Sequence, residues 1–293
     1  MNRIIIIDKP LGITSQGVVS RVKKIFNVKK VGHTGTLDPL ATGVLPILMG
    51  DTTKLSKYLI EHDKIYVANV KLGERTTTSD AEGEVVEKEN IDISKYSQEE
   101  IENVLNSFLG ESTQRPSMYS AIKVNGKKLY EYARKGEEVE VPERTIFIKN
   151  IKLLNIIKEE NIVEFEAEVS KGTYIRTLCE DIAKKLNTIG YMASLRRVKV
   201  NDFEIKDAVT LEYLEENKSN EEFLNKCLLK TEDIFNLPKV VLNKRKEELF
   251  LNGVKLTFDL NDGIYNIYSN ENKYIGIGEV KDKLLKRDVV ISD

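Results

Sequence analysis

Residues 32–45 read GHTGTLDPLATGVL. Three glycines, three threonines and a proline within these fourteen residues exclude a regular element. The stretch nevertheless contains His33 and Asp38 and runs into the apolar residues 44–49, so it is a shaped loop fastened to a strand. Catalytic groups commonly sit on such loops, because the scaffold fixes them while the loop exposes them. Turn chemistry gives Asp38 a plainer reading, an Asx turn made with Pro39. His33 has one too, as a loop histidine bonded to backbone.

Residues 2–7 form another apolar run, closed by Asp8, Lys9 and Pro10, the pattern of a buried strand entering a loop. After Ser15, Val18, Val19, Val22 and Ile25 share one face, which predicts an amphipathic helix ending near Asn27. Further strands are predicted at 65–72, 84–86, 121–124, 146–154, 163–169 and 196–200, and helices at 52–61, 98–108, 129–135 and 174–186. There is no regular βαβ alternation and no Gly-rich phosphate loop. An α+β fold with a central mixed, mainly antiparallel sheet flanked by helices and loops is therefore expected. Past Leu237 and Pro238 the texture changes to short β-like runs at 240–242, 254–258, 264–268, 274–280 and 288–291, with one helix at 245–251 closed by Gly253. This predicts two domains, residues 1–235 and a small β-rich unit at 236–293.

The 45 Lys and Arg against 47 Asp and Glu leave a net charge of −2, and the pI is about 6.0. Bulk electrostatics thus gives no reason to expect nucleic acid. Residues 21–30, however, contain Arg21, Lys23, Lys24, Lys29 and Lys30 and no acid, whereas 82–102 and 212–222 are acid-rich. Segregated basic and acidic faces are one expectation, and an ordinary solvated helix face is the other. No apolar run approaches the ~20 residues of a membrane span, and the first ten residues are too soon interrupted to be a signal sequence. A cytoplasmic location is expected. Cys179 and Cys227 are far apart with no CxxC partner, so neither a disulfide framework nor a metal site is signalled.

Several motifs in order carry a resemblance. GHTGTLDPLATGVLPI resembles the signature of the bacterial tRNA pseudouridine-55 synthases of the TruB type. Asp8, Lys9 and Pro10 with Gly12 and Ser15 look like that family's opening DKPxGxxS. Tyr66, Leu72, Gly73 and the run TTTSDAEG at 76–83 look like its second motif. QRPSMYSAIK at 114–123, continuing through Gly126, Leu129, Tyr130, Ala133 and Arg134, resembles its RNA-clasping insertion, placed at about 113–144. Ser117 departs from the usual QxPPxYSAxK by replacing the second proline, which loosens a turn and removes no chemical group. SKGTYIR at 170–176 and LRR at 195–197 complete the set, and the C-terminal fifth is similar to a PUA-like RNA-binding domain.

The resemblance implies that uridine 55 of the tRNA T-loop is isomerised to pseudouridine. The N1–C1′ bond breaks, the base turns, and C5 bonds to C1′, with no oxidation and no group donor. No cofactor and no metal are then needed, which agrees with the absence of a Walker motif. By resemblance Asp38 is the essential carboxylate, Arg176 its ion-pair partner, and Tyr66 the tyrosine that stacks on the base and takes part in proton transfer. His33 fills the space left by the extruded base. Lys9 and Asp80 lie near the site, Lys9 supporting the Tyr66 loop or backbone and Asp80 organising Arg176 or bonding RNA. Leu178, Lys123, Lys127, Lys128, Tyr130 and Arg134 are expected to touch RNA, since interleaved cations and aromatics suit phosphates and bases. The expected partner is the tRNA T-arm, with the protein a monomer needing no protein partner and no membrane. Other readings are the catalytic subunit of a guide-RNA-dependent synthase, a non-catalytic RNA-binding or tRNA-folding factor, and a hydrolase holding a metal between Asp38 and Asp80.

Overall fold

The structure is a computed structural model that describes residues 1–60, 62–117, 119–120, 122–133, 135–137 and 139–291, the Tyr130 side chain excepted. Arg134, Ala121 and the Tyr130 side chain, on which sequence expectations rest, lie outside the described residues. Strand β1 (Arg3–Lys9) contains Ile4, Ile5, Ile6 and Ile7, each at most 1% exposed. Ile5 and Ile7 join the principal core, and Ile4 and Ile6 join a second cluster with Val44, Leu48 and Leu59. A strand covered on both faces reads as a continuous apolar run, as this one does. Helix α1 (Ser15–Phe26) begins with the Thr14 hydroxyl accepting from Gly17 N and ends at Asn27 in the left-handed conformation.

The loop expected at 31–43 contains a short strand, β2 (Val31–His33), which pairs antiparallel with β3 (Ala41–Met49). The predicted helix at 52–61 is a 3₁₀ turn over Gly50–Leu55 followed by α2 (Ser56–Ile60). Strand β4 (Lys64–Leu72) alternates buried and half-buried residues along its whole length. Next come the hairpin β5 (Glu74–Thr76) and β6 (Val85–Lys88), helix α3 (Gln98–Asn106) with its Ser97–Glu100 capping box, and β7 (Gly110–Gln114). The small hairpin β8 (Lys123–Val124) and β9 (Lys127–Lys128) leads into α4 (Leu129–Ala133). Strands β10 (Arg144–Ile157) and β11 (Ile162–Val169) precede α5 (Ile175–Lys185), β12 (Gly190–Val200), β13 (Phe203–Glu204), α6 (Leu211–Glu216) and α7 (Glu221–Cys227).

The main sheet runs β1-β3-β12-β4-β11-β10-β7, with β2 on β3 and β13 on β12. Among the described pairings in it, only β3 with β12 is parallel, so the sheet is mixed and mainly antiparallel. Helices α1, α3 and α5 bury their apolar stripes on one face of it. One expectation fails here. Arg21 pairs with Glu212 and Glu215 of α6, each at 3.2 Å, so the first cation of basic segment 21–30 lies against the start of acidic segment 212–222. Opposite charges far apart in the chain are drawn together by the packing of α1 on α6, and the faces are mixed there.

The C-terminal strands β14 (Lys239–Leu242), β15 (Leu256–Thr257), β16 (Gly263–Ser269), β17 (Tyr274–Lys281) and β18 (Leu284–Val290) form a separate sheet in the order β14-β16-β17-β18-β15. Helix α8 (Lys244–Leu251) places Phe250 in its core, and Gly253 follows at φ +83°. This sheet meets the rest of the protein through Leu55, Ile277, Val289 and Ile291. Beside that patch Asp288 accepts hydrogen bonds from Lys57, at 2.5 Å, and from the Tyr58 hydroxyl. Among the described residues, no helix is long and apolar enough to cross a membrane.

Candidate active site

Asp38 sits between β2 and β3 on a loop held from several sides. The Ser15 hydroxyl donates to Leu37 O at 3.0 Å and accepts from Leu37 N at 2.8 Å. Ala41 N closes a turn on Asp38 O at 3.0 Å, and Gly12 N donates to Pro39 O at 2.9 Å. Lys9, with no exposed surface, donates to Pro10 O at 2.9 Å, Ile13 O at 2.6 Å and Pro39 O at 3.3 Å. The Asp38 carboxylate is left free to point at a partner, and its side chain is 39% exposed.

That partner is Arg176, in the first turn of α5. Its start is set by Gln114, whose side chain accepts from Tyr174 N at 2.7 Å and donates to Tyr174 O at 3.0 Å. The Arg176 Nη2 atom lies 3.2 Å from Asp38 Oδ2 and donates to Tyr119 O at 2.9 Å. Nη1 lies 3.4 Å from Asp80 Oδ2 and 3.4 Å from Thr78 O. Asp80 is itself buried, and its Oδ1 accepts from the Thr78 hydroxyl at 2.5 Å and from Glu82 N at 3.1 Å. One buried, permanently charged guanidinium thus joins a half-exposed carboxylate to a buried one. A planar fork bridges two acids with its two terminal nitrogens held at a fixed separation, a geometry a single ammonium nitrogen does not reproduce. The cation occupies the space between Asp38 and Asp80 that a shared metal would need.

Burial lowers the Lys9 ammonium to about 8, although Asp38 and Glu82 both oppose the change. Its hydrogen bonds go to residues 10, 13 and 39, so it braces the backbone beside Asp38 and not the strand of Tyr66. Glu82 was not singled out by the sequence reading. Burial, then Asp80 and Asp38, push its carboxyl upward, which makes it a third acid in the field of the site. The DAE triplet at 80–82 was the available signal.

Tyr66 lies on β4, 9% exposed, with its backbone between Ala167 of β11 and Arg197 of β12. His33 ends β2, and its Nδ1 accepts from Gly35 N at 3.3 Å, the bond to backbone that turn chemistry allows. Burial and the Arg197 charge lower its pKa, so the ring is neutral at neutral pH. Arg197 is 1% exposed and was read in the sequence only as part of a motif. Leu178, 1% exposed, lies on the buried face of α5 and packs in the principal core. The helix period points it inward. In the insertion, Lys123 and Lys127 are exposed, Lys123 stands opposite Lys128 in the β8–β9 pair, and Lys127 lies 5.7 Å from the Tyr132 ring centre.

Comparison with known proteins places this geometry. Residues 23–175 match the TruB family pseudouridylate synthase N-terminal domain, and residues 176–236 match the tRNA pseudouridylate synthase B C-terminal domain. The chain belongs to the TruB family of pseudouridylate synthases and is an enzyme of the isomerase class. It is 43% identical to tRNA pseudouridine synthase B of Clostridium kluyveri over 96% of each chain. Identity to the protein of that name from Clostridioides difficile is 42%, over 100% of this chain and 97% of the other. For Shigella dysenteriae the identity is 40%, over 97% and 92%. Among solved structures, a chain of a Cbf5-Nop10-Gar1 complex superposes with a TM-score of 0.71 at 26% identity, over 98% of this chain and 83% of that one. A chain of an H/ACA RNP bound to a substrate RNA gives 0.70 at 24% identity, over 99% and 85%, a likeness of fold.

Proposed function

We propose that this tRNA pseudouridine synthase acts on uridine 55 of the T-loop, and that Asp38 is the carboxylate on which the reaction depends. The observation that carries the reading is the buried Arg176 fork shared by Asp38 and Asp80. A carboxylate in a closing, water-poor site is pushed toward its neutral form, and a fixed cation beside it keeps it charged. Arg176 therefore holds Asp38 aimed, while Asp80 and two carbonyls hold Arg176.

The target base is stacked inside the folded loop, and its extrusion costs a few kcal/mol. The place of His33 at the end of β2, beside the Asp38 loop, supports a role of shape and stacking in the vacated space. Once flipped, the base lies against Tyr66. Asp38 assists cleavage of the bond from N1 to C1′, the freed uracil turns, and C5 bonds to C1′. One proton leaves C5 and one is gained at N1, so atoms balance without a donor or oxidant. The Tyr66 hydroxyl is the group offered for proton removal at C5. Lys123, Lys127, Lys128, Tyr130 and Arg134 grip the T-arm, and Asp80 acts through Arg176.

Residues 1–235 are read as the catalytic domain and 236–293 as a PUA-like RNA-binding unit of a monomeric cytoplasmic enzyme. The core motifs leave a second reading, the catalytic subunit of a guide-RNA-dependent synthase. The test is to incubate the purified protein with unmodified tRNA transcript alone and map pseudouridine. Modification at position 55 is expected. A requirement for added guide RNA, or modification elsewhere, would overturn the reading.

A further inference from the structure

Arg197 is among the largest fully buried side chains of the molecule. Among the described residues no carboxylate stands within ion-pair distance of it. A desolvated cation without a counter-ion is costly, and it persists only where fixed dipoles replace the lost water. Here the dipoles are two carbonyls. Nε donates to Val44 O at 2.8 Å and Nη2 to Gly35 O at 3.2 Å. These carbonyls stand on opposite sides of Asp38 in the chain, so one guanidinium staples the incoming limb of the loop to the strand that leaves it.

The backbone of Arg197 is equally placed. In the sheet it pairs with Tyr66 on one side and with Gly43 on the other. Gly43 has φ +103°, and a Cβ there would come within 2.2 Å of Arg197 O, so only glycine allows this approach. Tyr66, the Asp38 loop and His33 thus share one neighbour, which touches none of the atoms that react.

We propose that Arg197 is a positioning residue of the synthase, setting the Asp38 loop against Tyr66 through its fork and presenting its charge to His33. The proposal rests on the reading of Asp38 and Tyr66 given above. The two properties separate by substitution. Arg197→Lys keeps the charge and loses the fork, whereas Arg197→Met loses both. Gly35→Ala presses on the same contact from the loop side, because its Cβ would lie 3.3 Å from Arg197 Nη1 in a backbone conformation open to alanine.

The experiment measures kcat and KM on tRNA transcript for the full-length variants and follows the two histidines by NMR titration, with His62 as internal control. In Arg197→Lys, kcat is expected to fall about 30-fold or more, in line with displacement of a reacting group by a fraction of an ångström, with KM changed less than about threefold. His33 should titrate at its wild-type midpoint in Arg197→Lys and higher in Arg197→Met. Gly35→Ala should lower kcat, and combined with Arg197→Lys it should cost less than the product of the two. Wild-type kcat in both Arg197→Lys and Gly35→Ala, or an unmoved His33 midpoint in Arg197→Met, would sink the proposal. If Arg197→Met does not fold, the lysine and alanine variants still decide the matter. An inactive wild-type protein would strike at Asp38 and leave the His33 titration standing as the test of Arg197.

Discussion

The loop that carries Asp38 and the insertion at 113–144 are both irregular in sequence, but they are built on opposite principles. The loop is fixed by Ser15, Lys9, Arg176 and Arg197, all of them buried. The insertion holds a two-residue hairpin, a short helix and exposed lysines. Chemistry at a carboxylate gains from groups that need no rearrangement when charge develops. Gripping a folded RNA gains from cations on long stems that can follow phosphates. The comparison teaches that the same loop-like composition serves pre-organisation in one region and adaptability in the other.

The sharpest way to break that contrast is Asp38→Asn. Pseudouridine formation should be abolished while tRNA affinity stays within about tenfold, or ~1.4 kcal/mol. Normal turnover by this variant in a mapping assay would remove Asp38 from the mechanism. Arg176→Lys should be next, lowering kcat about 100-fold because one ammonium nitrogen does not reproduce the two fixed nitrogens that reach Asp38 and Asp80. Lys9→Met leaves three buried or half-buried carbonyls without their donor and should cost about 1–3 kcal/mol in urea unfolding. An unchanged unfolding midpoint would show that those carbonyls find water.

The insertion should respond differently. Replacing Lys123 and Lys127 by alanine is expected to leave kcat intact, weaken binding several-fold, and lower the slope of log K against log salt by roughly 1.4 if each meets one phosphate. A kcat effect without a salt effect would merge the two regions into one. The smallest effect concerns pH. Lys9 binds its proton less tightly in the folded chain, at about 8, than at its ordinary 10.5. Between those values the unfolded chain holds more protons, so this residue adds stability as pH rises, and below the window its contribution is constant. The Tm of wild type minus that of Lys9→Met should therefore grow from pH 7 to pH 10, and a decrease would contradict the sign.

Much of this was legible in the sequence. The four isoleucines of β1, the Ser15 helix and the loop at 32–45 obey local rules of period and turn chemistry, so they could be read in place. Asp38, Arg176 and Asp80 were named there by resemblance, and the structure brings them into contact. What escaped depends on distant partners. Arg197 and Gly35 are 162 residues apart, and nothing local marks an arginine destined for two carbonyls. The pairing of Arg21 with α6 is equally non-local, and it turned an expected basic face into a mixed one. Glu82 lay in plain view beside Asp80, but its field depends on where Asp38 and Lys9 stand.

The parallel pairing of β3 with β12 also has a consequence on the ribosome. Asp38 is synthesised early, yet the residue that staples its loop follows Gly35 by 162 positions. At ~5–20 residues per second, on the order of 10–30 s of translation separate the two. Through that interval the loop is without its clamp. A chain released before residue 197 would carry Asp38 without the two bonds that Arg197 makes to the limbs of its loop.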